Sequence, residues 1–295
     1  MAKCLVTGGA GFIGSNLVDM LIERGNSVEV VDNLSTGKYE NVHSDAYFYE
    51  LDISSEDFRH CNIPTDRYDY IFHLAALPRI QPSFKNPTGC HDSNITGTIN
   101  VLEMAKRTDS RVIYAGSSSV YFDHLANPYA FTKWVGEEYC KMYSKIYGVE
   151  TNIARFFNVY GPRHDMAAEY ATVLAAFEGA HIEGLPFVIY GDGEKRRDFT
   201  HVHDVCDGLI KIAESRFSGE IFNFGSGVNY SINEVASMFG DHDVVHKDGR
   251  PGEAQDTLAK TARTCCLLNW SCDFSLPEYI SDFVKKKSDS KGKSV

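Results

Sequence analysis

Apolar positions along the chain recur with two periods. Cys4-Leu5-Val6 is a short apolar run that ends in Thr7-Gly8-Gly9. Leu17, Val18, Leu21 and Ile22 then recur at spacings of three and four, the repeat of a helix with one buried face. Gly25 fits the C′ position that closes such a helix. Val28-Glu29-Val30-Val31 reads as a second strand. Strand, glycine turn, helix and strand make a βαβ unit, with parallel strands and a right-handed crossover.

The alternation continues. Ala46 to Tyr49, Tyr70 to Leu74, Arg111 to Ala115 and Thr151 to Phe156 read as strands. Helices are predicted from about Thr96 to Lys106 and from about Pro128 to Tyr147. This order predicts an α/β fold with a doubly wound parallel sheet. After Gly161-Pro162-Arg163 the rhythm breaks. A helix around Ala167 to Glu178 and a strand Phe187 to Tyr190 predict a second, smaller α/β lobe, with returns to the sheet near His201 and Phe222. Lys285 to Val295 is Lys/Ser-rich and is expected to be disordered.

Composition narrows the function. The chain has 295 residues and a net charge of −11, and the body before Lys285 carries −15. That charge disfavours nucleic acid and anionic membranes as partners. Eight cysteines include no C-x-x-C pair, so reduced thiols are expected. No apolar run reaches membrane-spanning length, and strand-like residues begin too early for a signal peptide. A cytoplasmic location is the expectation.

Gly9 to Gly14 fits G-x-G-x-x-G, and Gly8, Gly11 and Gly14 repeat at a spacing of three. Such glycines let the backbone and a helix N-terminus approach a pyrophosphate. Asp32 ends the next strand 18 residues on. A carboxylate there accepts hydrogen bonds from an adenosine ribose and repels a 2′-phosphate, which points to NAD rather than NADP. Asp52 suits either an adenine amine or an ordinary helix N-cap. Tyr129 and Lys133 are four apart on a predicted helix and share a face. An ammonium near a phenol favours the phenolate, which then acts as a general base. His201, His203 and Asp204 imitate a metal site, but no further ligand cluster accompanies them and no metal is expected.

Taken in order, these motifs resemble the extended short-chain dehydrogenase/reductase family, in its nucleotide-sugar epimerase branch. The likeness runs from Leu5 to about Tyr279. It includes Thr7 to Gly14, Asp32-Asn33-Leu34, His73 to Ala76, Asn94 with Gly97-Thr98, Ser117 to Tyr121 and Pro128 to Lys133. Arg155 to Pro162, Tyr190 to Phe199 and Arg250 to Glu253 complete the series. The resemblance implies a Rossmann domain over 1–163 with returns near 201–226, and a substrate lobe over 164–284.

It further implies a bound NAD that is reduced and reoxidised as C4 of a UDP-sugar is inverted through a ketone. Tyr129 is the implied acid/base, Lys133 its tuner and a ribose ligand, and Ser117 a proton relay. Implied cofactor positions are Gly8, Gly11, Phe12, Ile13, Gly14, Asp32, Asn33, Ser35, Thr36, Gly37, Asp52, Ile53, Leu74, Ala75, Ala76, Asn94, Tyr129, Lys133 and Phe156. Implied substrate positions are Ser117, Ser118, Ser119, Asn158, Tyr190, Arg197, Arg250, Glu253 and Thr257. Homodimers are expected through the helices near Thr96–Lys106 and Ala130–Tyr147.

Two departures mark this sequence. Only seven residues separate Tyr121 from Tyr129, with Phe122 where the family usually has Gly, and Lys260 replaces a frequent Asp. Thr257, read as part of a strand 257–259, is small where a bulky Tyr resembles enzymes restricted to plain hexoses. That favours UDP-N-acetylglucosamine and UDP-N-acetylgalactosamine, with UDP-glucose and UDP-galactose also fitting. UDP-glucuronate is the alternative, its carboxylate received by the Ser117–Ser119 hydroxyls. Dehydratases and decarboxylases of this fold usually carry an acid where Ser119 lies. Non-catalytic nucleotide sensors tend to lose the Tyr–Lys pair.

Overall fold

The computed structural model describes residues 1–60, 67–166 and 171–292. Its centre is a seven-stranded sheet built from β1 (Lys3–Thr7), β2 (Ser27–Asp32), β3 (Tyr47–Glu50), β4 (Tyr70–His73), β5 (Arg111–Ser117) and β6 (Thr151–Phe156). The short strands β7 (Val159–Tyr160), β8 (Phe187–Tyr190), β9 (Arg196–Asp198) and β10 (Thr200–His201) follow. Then β11 (Ile221–Phe224) returns to the sheet. The order is β11-β6-β5-β4-β1-β2-β3, and every pairing is parallel.

Neighbouring strand residues point to opposite faces, so each apolar run feeds two cores. Val6, Val30, Phe72, Ile113 and Phe222 pack with Leu17, Val18 and Leu21 of the Phe12–Glu23 helix and with Val205, Leu209 and Ile212 of the Val202–Glu214 helix. Leu268 and Trp270, far down the chain, complete this core. On the other face Leu5, Val31, Ile71, Val112 and Ile153 meet Val101 and Leu102 of the Gly97–Thr108 helix, with Cys140 and Tyr143 of the Pro128–Tyr147 helix. Gly25 has φ 80° and follows the first helix, as its spacing predicts.

The second lobe has its own core of Tyr160, Leu174, Phe177, Phe187, Ile189, Phe239 and Ile280. Its helix spans Val173–Glu183. The start expected for that helix, at 167–170, lies outside the described residues. Two readings change here. Residues 257–259 form no strand: Asp256 bridges Arg196 and the chain then continues irregularly. Of the tail expected to be disordered, residues 285–292 continue the last helix, Leu276–Gly292, whose Ile280 packs in the lobe core. Among the described residues no helix is long and apolar enough to cross a membrane.

Candidate active site

One cavity of about 710 Å³ opens where the sheet strands end. Gly8 follows β1, Asp32 ends β2, Leu74 follows β4, Ser117 ends β5 and Phe156 ends β6, and all five line it. Parallel strands place their carboxyl ends together, which is why Gly8 and Phe156, 148 positions apart in sequence, meet here.

At the glycine end the backbone is bare. A Cβ at Gly8, whose φ is 75°, would lie 2.6 Å from the Ala75 nitrogen. A Cβ at Gly14 would strike the Gly8 carbonyl. No side chain caps the Phe12–Glu23 helix, so its first amides are left for an anion. Asp32 accepts from the Ala10 amide at 3.0 Å and the Leu34 amide at 2.8 Å, and burial raises its pKa despite them. This geometry fits a dinucleotide: glycines for a pyrophosphate, a carboxylate for a ribose. Asp52 takes the amide and hydroxyl of Ser54 and the side-chain amide of Asn33. Burial opposes its charge, but these bonds hold its carboxyl below the usual range. It serves the local turn while also lining the cavity.

The chemical centre sits mid-cavity. Asn127 caps the Pro128–Tyr147 helix by accepting from the Ala130 amide at 2.8 Å, and Pro128 takes the first turn. Tyr129 and Lys133 therefore lie one turn apart on the cavity wall, beside Ser117, Ser118 and Ser119. Burial raises the Tyr129 phenol, while a hydrogen bond with Ser117 and the charge of Arg79 pull it down. Lys133 is buried on the same helix. It donates to the Ala115 carbonyl at 2.9 Å and lies 5.1 Å from the Tyr114 ring centre, and burial lowers its pKa to about 8.

One turn further along the helix, Glu137 is fully buried. It holds Arg155 of β6 through three contacts, at 3.0, 3.2 and 2.5 Å. Gly116 makes room for this pair. The Arg155 guanidinium lies 4.5 Å over the Tyr121 ring, whose hydroxyl donates to Asn223 at 2.8 Å. The short turn after Tyr121 is thus fixed from beneath.

At the far end, Arg250 stacks on Tyr190 at 3.5 Å, Arg197 is held by the carbonyls of Arg196 and Gln255, and Lys195 pairs with Glu253 at 3.1 Å. Burial lowers the Arg197 pKa. This basic cluster suits a second diphosphate. Thr257 is packed against Asn158 and the Asp198 amide, both 3.3 Å from its hydroxyl. Asn127 donates to the Gly252 carbonyl and Gln81 to the Pro251 carbonyl, both at 3.0 Å, which ties this lobe to the sheet domain.

All the expected site residues line the cavity except Gly37 and Asn94. Asn94 is buried and spent on structure: it accepts from the Leu77 amide at 2.7 Å and donates to Thr132 at 3.0 Å. Gly37 packs behind the wall, against Ala10 and Asp32. The sequence reading omitted Arg79, Phe122, Asn127, Lys195 and Lys247, which also line it. A lone arginine in the apolar run Leu77-Pro78-Arg79-Ile80 was the available signal for the first. Of the residues that imitate a metal site, His201 caps its own helix with its ring 4.9 Å from that of His203, and Asp204 accepts from the amides of Asp273 and Phe274.

A family model described as the NAD dependent epimerase/dehydratase family matches residues 4–225. A solved UDP-glucose 4-epimerase from Thermotoga maritima, with UDP-glucose, is 32% identical with a TM-score of 0.90, over 98% of this chain and 99% of that one. A UDP-glucuronic acid 4-epimerase from Bacillus cereus, solved with UDP-glucuronic acid and NAD, is 29% identical with a TM-score of 0.86, over 96% and 99%. A UDP-N-acetyl-alpha-D-glucosaminuronate decarboxylase from Bacillus cytotoxicus is 33% identical over 84% of this chain and 82% of its own.

Proposed function

Since the chain belongs to the NAD dependent epimerase/dehydratase family, we propose that it is a UDP-sugar 4-epimerase acting through a 4-keto sugar. Its cofactor is NAD, which supplies a reversible two-electron oxidation. Tyr129 takes the proton from the sugar O4 and later returns one to it. Ser117 orients that hydroxyl, and Lys133 anchors the base of the pocket. Arg197 and Arg250 grip the UDP diphosphate while the sugar end turns over.

The observation that carries this reading is the company of Tyr129. Among the described residues the acids that line the cavity, Asp32, Asp52 and Glu253, belong to its two ends. Beside Tyr129 lies Ser119, whose hydroxyl donates to Ser117 at 2.9 Å. Dehydration calls for a second acid/base at the sugar, and this wall offers hydroxyls instead. The test is turnover of a panel of UDP-sugars, read by chromatography. Interconversion of a C4 pair supports the reading; a dehydrated or decarboxylated product refutes it.

The small Thr257 supports N-acetylhexosamines as substrates, with plain hexoses also admitted. Thr257→Tyr is expected to reduce kcat/KM for the N-acetyl sugars about 10-fold or more beyond its effect on UDP-glucose. Equal losses refute the size argument. Asp32→Ala is expected to weaken NAD about 10-fold and to narrow its preference over NADP, as fluorescence titration with the two reduced cofactors would show. Homodimerisation through the Gly97–Thr108 and Pro128–Tyr147 helices is supported by the exposed Phe131, Ile146 and Tyr147 on the latter. Sedimentation at micromolar concentration tests it.

A further inference from the structure

Arg79 combines two unfavourable features. Its backbone, at φ 81° and ψ 143°, occupies a region that L residues avoid. Such strain costs on the order of 1–3 kcal/mol and persists only where the surroundings enforce it. Its charged side chain is also half-buried, on a cavity wall between Pro78 and Ile80. A glycine here would remove the strain and a leucine the charge burial, yet the chain carries an arginine.

The surroundings enforce the conformation from both sides. Asn94 clamps Leu77 through its amide and carbonyl, at 2.7 and 3.2 Å. Ser83, in the helix Ile80–Lys85, accepts from the Tyr129 amide at 3.1 Å. The loop that aims Arg79 is therefore fastened to the helix that carries Tyr129. Among the described residues Tyr129 and Asp165 are acidic groups whose charge bears on Arg79. Among the described residues the groups that bear on Tyr129 are Ser117 from β5, Arg79 from this loop, and the Cys90 thiol, which opposes them. Lys133, on the same helix, is turned to the Ala115 carbonyl.

We propose that Arg79 is the resident counter-ion of the Tyr129 phenolate, a positioning residue that readies the acid/base. The inference rests on the reading of Tyr129 as that acid/base.

The test is the pH profile of kcat/KM with three variants. Arg79→Met is expected to move the low-pH limb upward by about one unit, a tenfold loss near neutrality that disappears in alkali. Arg79→Lys keeps the limb near its wild-type position. Arg79→Gly shares the shift of Arg79→Met but melts at a higher temperature than it, because the strain is gone. Tyrosinate absorbance of the NAD-bound protein, taken as the difference between a chain with Tyr129 and one with Tyr129→Phe, gives the same shift without turnover. An unmoved limb and an unmoved titration in Arg79→Met overturn the proposal. So does a pH-independent loss confined to carboxylated sugars, which would make Arg79 a substrate contact. If no UDP-sugar is turned over by the wild type, the epimerase reading fails, and the absorbance titration still decides the role of Arg79.

Discussion

Tyr129→Phe is expected to lower turnover by about 10²–10⁴-fold, the usual loss for a removed general acid/base, while UDP binding is kept. The ring stays, so the wall of the cavity keeps its shape, and only the proton carrier goes. The hydrogen bond between the phenol and Ser117 is lost with it. Single-turnover kinetics and UDP calorimetry on the same preparation separate the two effects. Near-normal turnover would remove Tyr129 from the mechanism, and loss of UDP binding would assign it a structural part.

The second large effect is on stability. Glu137→Ala is expected to cost about 3 kcal/mol or more, because it strands the Arg155 guanidinium in a buried position. Glu137 is wholly enclosed, and Arg155 has only 13% of its side chain exposed. The midpoint of urea unfolding measures this loss, and Arg155→Met in the same background should recover part of it. A variant as stable as wild type would mean that the pair is replaced by water or another partner. Glu137 is also among the charges that raise Lys133, so the substitution is felt one turn away in the cavity.

Periodicity was a good guide wherever a residue's fate is decided locally. β6, read as a strand from Thr151 to Phe156 after the long helix, has those bounds in the structure. The Pro128–Tyr147 helix likewise begins at its proline and ends before the left-handed Gly148. The motifs also lead to the cavity, since glycine spacing and the ends of parallel strands are properties of the chain itself. What sequence could not convey were choices made by distant partners. Asn94 looks like a ligand residue until Leu77 and Thr132 are seen to occupy it. Thr257 has strand propensity, yet its amide bonds to the Arg196 carbonyl in an irregular segment. For Arg79 the sequence offers only a lone arginine in an apolar run, and its left-handed backbone and the fastening of its loop to the Tyr129 helix are visible in the structure alone.

The late return of β11 imposes an order on synthesis. β6 leaves the ribosome with one side paired to β5 and the other side bare. At roughly 5–20 residues per second, the 64 residues between Phe156 and Ile221 take several seconds to emerge, and β11 closes that edge only afterwards. Leu268 and Trp270 arrive later still, and until then one face of the sheet lacks part of its covering. The nucleotide-binding half, though first in sequence, is thus the half that waits. A nascent chain halted at residue 163 should bind chaperones and expose its β6 edge to pairing with other chains.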